Sequence, residues 1–84
     1  MKVNFKKVIL TDIEGKEMEA DFKNQLGNQL YMQGRNIEEC ELGKKIYFAD
    51  DEVELSDKEA DIVRRFTMGW ALVARTGIEA ALKE

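Results

Sequence analysis

At 84 residues the chain is long enough for one small domain. It carries 13 Lys and Arg against 17 Asp and Glu, a net charge of −4, and 44% of its residues are hydrophobic; it is therefore neither a disordered polyelectrolyte nor a generic phosphate binder. There is no His, the only Cys is Cys40 and the only Ser is Ser56, which excludes Ser-His-Asp and Cys-His catalysis, an intrachain disulfide and a Cys/His zinc site.

Val3, Phe5, Val8, Ile9 and Leu10 make residues 3–11 a strand, since β-branched and aromatic side chains favour a pleated surface. Asp12-Ile13-Glu14-Gly15-Lys16 supplies turn chemistry: Asp12 can bond nearby amides and Gly15 can take a positive φ. Residues 17–20 then return as the second strand of a hairpin. Asp21 is placed to cap a helix over residues 22–32, where Phe22, Leu26 and Leu30 are spaced by four on one face. Gly34 is expected to stop that helix in the left-handed conformation. Asn36 opens a second short helix reaching Phe48, with Leu42 and Ile46 as an i,i+4 pair; Gly43 counts against it. Val53-Glu54-Leu55 alternates and is placed to add a third short strand to the hairpin.

Ser56-Asp57-Lys58-Glu59 is a capping box and the clearest local signal in the chain. A long C-terminal helix is expected to start there. On a wheel of about 100° per residue, Ile62, Val63, Phe66, Trp70, Val73, Ala74 and Ala81 fall in one broad apolar sector, read as the core face. Phe66 and Trp70 form an i,i+4 aromatic pair within it. A second sector holds Arg64, Met68, Ala71, Arg75 and Leu82, flanked by Leu72 and Ile78. Such a helix is either covered on two sides or broken, with Gly69 and Gly77 as the break points. Gly77 is the expected helix end, with Ile78 folding back towards Val73.

The chemistry-bearing clusters are modest. Asp50, Asp51, Glu52, Glu54 and Asp57 lack EF-hand spacing and its Gly, and read as a solvated loop ahead of a helix N-terminus, so no metal is expected. Glu38, Glu39 and Glu41 surround Cys40 and disfavour its thiolate, making it a poor nucleophile. Arg64 and Arg65 have the spacing to pair with Asp61. Arg64 and Arg75, eleven residues apart, come within about 20° of each other around a continuous helix and could grip phosphate or a partner's carboxylates. Met68, Ala71 and Leu72 beside these arginines have the character of a helix–helix interface. Lys2, Lys6 and Lys7 could face phosphate, or guard a strand edge.

The stretches Asp12-Ile13-Glu14-Gly15-Lys16-Glu17, Leu26-Gly27-Asn28-Gln29-Leu30-Tyr31, Lys45-Ile46-Tyr47 and Val53-Glu54-Leu55-Ser56 resemble small uncharacterised bacteriophage and prophage proteins. The resemblance implies an accessory protein of a phage or integrated element that acts by binding; it carries over no catalytic residue.

The expected architecture is α+β: an N-terminal β-hairpin with room for a third strand, two short helices, and a long C-terminal helix packed across the sheet. The expected function is that of a non-catalytic protein-interaction module, with Arg64, Met68, Ala71, Leu72 and Arg75 meeting a protein partner or a second copy, and no cofactor. One alternative is a small acidic inhibitor of a host nucleic-acid or defence enzyme. Another is nucleic-acid binding through Lys2, Lys6, Lys7, Arg64 and Arg75, which the net charge disfavours. A third is a small phosphorylated ligand held by the arginines. The free Cys40, the absence of an apolar segment after the N-terminal lysines and the lack of about 20 consecutive apolar residues place the protein in the cytoplasm, off the membrane.

Overall fold

The turn at Asp12 forms as its residues dictate. The Asp12 carboxylate accepts the amides of Glu14 and Lys16, both at 2.9 Å, and Gly15 sits at φ 84°. Around it, a computed structural model describes residues 1–82. The elements in chain order are β1 (Lys2–Val3), β2 (Val8–Thr11), β3 (Glu17–Ala20), α1 (Lys23–Gln33), α2 (Ile37–Tyr47), β4 (Val53–Glu54), α3 (Asp57–Phe66) and α4 (Leu72–Ala81).

The class is α+β, but the expected architecture needs correction. Among the described residues there are two separate two-stranded antiparallel sheets, β2–β3 and β1–β4, and four helices, the longest of 11 residues, and none of them is a long C-terminal helix. The first predicted strand is interrupted because Asn4 turns the chain. Its carbonyl accepts from Lys7 N at 3.2 Å and its side chain from Lys6 N at 3.0 Å, an arrangement Asn favours over a ladder. Phe5 is buried at that turn. Val53 accordingly pairs with Val3, not with the hairpin.

The first two helices, α1 and α2, cross through glycines. A Cβ on Gly43 would lie 2.7 Å from the Gly27 carbonyl and 2.7 Å from the Tyr31 amide, and one on Gly27 would lie 2.9 Å from the Tyr47 Cβ. Only backbone fits at that crossing, so Gly43, which counts against a helix by propensity, is what lets this helix dock. The crossing turns Leu26, Leu30, Leu42 and Ile46 into the core. Asn36 caps α2 as expected, accepting from Glu39 N at 2.9 Å. Asp21 bonds Lys23 N but is not the N-cap, which is Phe22. Gly34 is extended, at φ −63°, rather than left-handed. Its lack of a side chain answers a steric need instead: a Cβ would sit 2.5 Å from the Leu30 carbonyl and 3.0 Å from the Cys40 Sγ.

The capping box closes in both directions. Ser56 Oγ accepts from Glu59 N at 3.2 Å, and Glu59 accepts from Ser56 N at 2.9 Å. Partial burial pushes the Glu59 carboxyl up, but the Ser56 amide and the Lys45 ammonium outweigh it and hold the group below its ordinary value. A depressed folded value stabilises the fold above the ordinary carboxylate range, and that stability is lost as pH falls through the folded value. Gln can keep the hydrogen bond but not the charge. Glu59→Gln therefore costs about 0.3–1 kcal/mol at neutral pH, and the difference from wild type disappears in acid; urea titrations across pH check this.

The C-terminal segment departs furthest from expectation. After Phe66, Thr67 Oγ1 turns back onto the Val63 carbonyl at 3.0 Å, and Trp70 N bonds the Thr67 carbonyl at 3.0 Å, closing a tight turn. Trp70 leaves the helix and stacks edge-on with Phe22 at 5.2 Å, so the expected Phe66–Trp70 pair is not its ring contact. The break falls at Gly69, not at Gly77. Gly77 lies inside α4, where a Cβ would sit 2.6 Å from the Ile9 carbonyl and 2.9 Å from Val8 Cγ1. Its inner face carries Ile78 and Leu82, both fully buried, while Val73, expected in the core, is 50% exposed.

Candidate functional site

The turn at residues 67–71 redirects the chain so that α4 docks along β2 while Arg64 of α3 still reaches Glu79 of α4, and this, rather than helical periodicity, assembles the expected contact residues. Arg64, Met68, Leu72 and Arg75 line one open groove of ≈ 430 Å³, with Thr67, Thr76, Glu79 and Ala80 completing its wall. Ala71 is the fifth expected member. It is exposed at the N-cap of α4 but does not line the groove.

The two arginines of the groove differ in their commitments. Arg64 donates Nε to the Glu79 carboxylate at 3.1 and 3.2 Å and a terminal nitrogen to Asp61 at 2.8 Å. Partial burial works against its charge, but the two carboxylates outweigh it and raise the guanidinium above its ordinary value. The expected Asp61–Arg64 pair thus forms, and Glu79 adds a brace from α3 to α4. Arg65 turns elsewhere, to Glu39 at 3.5 Å. Arg75 has no ion pair among the described residues.

Apolar side chains surround these charges. Met68 is 65% exposed and Leu72 71% exposed. On the far side of α4 a second groove, ≈ 550 Å³, runs between the helix and the hairpin and is lined by Ile9, Thr11, Glu17, Leu72 and Val73. The outward ridge of α4 is therefore flanked by a mixed charged and apolar groove on one side and a more apolar one on the other.

Of the basic set considered for nucleic acid, Arg64 and Arg75 share the groove and the three lysines do not line it. Lys2 stands in β1 opposite Glu54, Lys6 pairs with Asp51 at 3.6 Å, and neither they nor Lys7 line the arginine groove. Among the described residues no group of three or more Cys, Asp or Glu is placed to hold a metal ion. Cys40 lies half-buried on α2 with its thiol 3.6 Å from the Tyr31 carbonyl. No helix among the described residues is long and apolar enough to cross a membrane.

A second apolar surface escaped the sequence reading. Tyr31, Met32, Ile37 and Phe48 are all exposed, and a ≈ 280 Å³ slot opens between Tyr31, Tyr47 and Phe48 over the two crossing glycines. The usable signal was the stripe rule itself: Tyr31 and Met32 fall off the Phe22-Leu26-Leu30 face.

No family model matches the chain, and neither a curated protein nor a solved structure does. The resemblance to small phage proteins thus adds no residue role to the geometry.

Proposed function

We propose that the chain is a non-catalytic protein-interaction module that self-associates through the outward face of α4. The observation that carries this reading is the exposure of Met68 and Leu72 on a groove whose Arg75 has no ion pair among the described residues, with exposed Val73 on the other side of the same helix. Leaving a Leu or Met side chain in water forgoes roughly 1.5–3 kcal/mol of burial, and a chain of this size has little surplus core to offset it. A two-fold pairing lays the same patch against itself and recovers that burial twice. The brace from Arg64 to Glu79 holds both walls of the groove in place before contact, which lowers the cost of ordering them. A small accessory protein acting by binding, as the phage resemblance implies, is compatible with this role, and the free Cys40 suits a reducing compartment.

Light scattering after size exclusion, over a concentration series, tests the proposal. Self-association is expected to appear as a concentration-dependent rise in mass. Met68→Glu and Leu72→Glu are each expected to return the protein to monomer mass while changing monomer stability by no more than about 0.5 kcal/mol, because both sites are on the surface. A wild-type protein that stays monomeric at the highest concentration overturns it.

A further inference from the structure

The two edges of the β2–β3 hairpin are treated differently by the fold. In an antiparallel ladder, bonded and non-bonded pairs alternate. Asp12 N bonds the Lys16 carbonyl at 2.9 Å, and the register runs Thr11↔Glu17, Leu10↔Met18, Ile9↔Glu19, Val8↔Ala20. The bonded pairs inside the hairpin are thus Leu10 with Met18 and Val8 with Ala20. The backbone groups of Ile9 point out of the ladder on the β2 side, and those of Glu17 and Glu19 on the β3 side. The β2 edge is covered: α4 lies along it, close enough that the Ile9 carbonyl occupies the space of a Gly77 side chain. No strand among the described residues pairs with the outer edge of β3, and Glu17, Met18 and Glu19 are exposed.

The charge of the molecule is gathered at the same place. Between Asp12 and Asp21 there are five carboxylates (Asp12, Glu14, Glu17, Glu19 and Asp21) against Lys16 alone, a net −4, which equals the net charge of the whole chain; the other residues balance, twelve against twelve. Lys16 is 3.9 Å from Glu14, and neither Glu17 nor Glu19 has an ion pair among the described residues. The edge therefore offers unused main-chain donors and acceptors framed by uncompensated negative charge.

We propose that β3 accepts an extended basic segment of a partner protein as a third strand of this sheet. Strand addition supplies main-chain hydrogen bonds for affinity and alternate side-chain positions for specificity. Along β3 the side chains alternate, with Glu17 and Glu19 on one face and Met18 and Ala20 on the other. The complementary segment alternates Lys or Arg on the glutamate face with apolar residues on the Met18 face. A second copy of β3 is the wrong occupant, because it would bring glutamates against glutamates, and like charges across a strand pair repel. The same repulsion keeps copies of the hairpin from pairing edge to edge. The proposal concerns the outer main-chain edge of β3 and does not rest on self-association, although the Glu17 side chain also borders the groove between α4 and the hairpin.

The test uses the full chain and three blocked octapeptides: alternating Lys and Val, alternating Glu and Val, and alternating Lys and Gly. Binding is followed by amide hydrogen exchange in NMR. The Lys–Val peptide is expected to slow exchange of the Glu17 and Glu19 amides severalfold and leave that of Met18, already bonded to β2, unchanged. Its affinity is expected to fall roughly tenfold or more in the Glu17→Lys/Glu19→Lys variant and to weaken with added salt. Both substitutions are at exposed positions, and the variant's unchanged spectrum away from β3 confirms its fold. The idea is overturned if the Glu–Val peptide binds as well. It is equally overturned if the Lys–Val peptide binds without protecting Glu17 and Glu19, or binds no better than Lys–Gly; the carboxylates would then act as a guard on the edge or as a diffuse charge only.

Discussion

Gly77→Val is expected to destabilise the fold by about 3 kcal/mol, lowering the melting temperature by roughly 12–24 °C for a domain of this size. The reason is geometric. A Cβ at position 77 would lie 2.6 Å from the Ile9 carbonyl, 2.9 Å from Val8 Cγ1 and 3.2 Å from Leu10 Cδ2. The nearest of these is backbone, on a strand held by the bonded pairs of Val8 and Leu10 either side of it, so nothing can simply rotate aside; α4 must back away from β2. That movement loosens Ile78 and Leu82, which are fully buried on the same face. Gly77→Ala meets the same carbonyl with a smaller group and regains about 1 kcal/mol of helix propensity, so its net loss is expected to be about half as large. Ala80→Val is the control. Ala80 is an exposed position of the same helix, and there only the propensity cost of about 0.5 kcal/mol should appear. If chemical denaturation finds Gly77→Val no worse than Ala80→Val, the docking of α4 along the β2 edge is refuted.

That glycine also shows where the sequence was readable and where it was not. Signals that act within a few residues were legible: the Asp12–Gly15 turn, the Asn36 cap, the Ser56–Glu59 box and the Leu26/Leu30 stripe all form as their local chemistry dictates. Gly77 and two other glycines carry information about partners distant in sequence. Gly27 and Gly43 answer to each other across a helix crossing, and Gly77 answers to Ile9. From local rules Gly43 is a weakness in a helix and Gly77 a helix end; nothing within five residues of either says otherwise. The candidate site had a similar fate. Arg64, Met68 and Arg75 fell together on a wheel drawn for a continuous helix, and they do share a groove, but they share it because the chain turns between them. The same wheel misplaced Ile78 and Leu82, since its phase does not survive the turn at residues 67–71.

What holds that turn is Gln29, and its replacement carries the second large effect. The Gln29 side chain, from α1, donates to the Phe66 carbonyl at 2.6 Å and accepts the Trp70 indole N–H at 2.7 Å. It thereby satisfies a carbonyl at the last residue of α3, one of the groups a helix end leaves without an internal partner, and anchors the residue that ends the turn. Trp70 is in turn packed edge-on against Phe22, so one amide ties the start of α1 to the α3–α4 connection. Gln29→Leu keeps the bulk and removes both bonds. Each part-buried bond is worth about 1 kcal/mol, and the groups left unpaired add to the loss, so a destabilisation of about 2 kcal/mol is expected. Trp70→Phe keeps an aromatic ring against Phe22 but loses the indole donor, and should cost about 1 kcal/mol for the bond alone. Because the two substitutions break the same bond, the double variant is expected to be more stable than the sum of the single losses by about 1 kcal/mol. Trp70 is the only Trp in the chain, so its near-ultraviolet circular dichroism reports the site directly and should flatten in Gln29→Leu before global unfolding begins. Strictly additive losses with an unchanged Trp70 signal would mean that the turn at residues 67–71 is set by Thr67 and Gly69 alone, and that α3 and α4 keep their arrangement without the Gln29 amide.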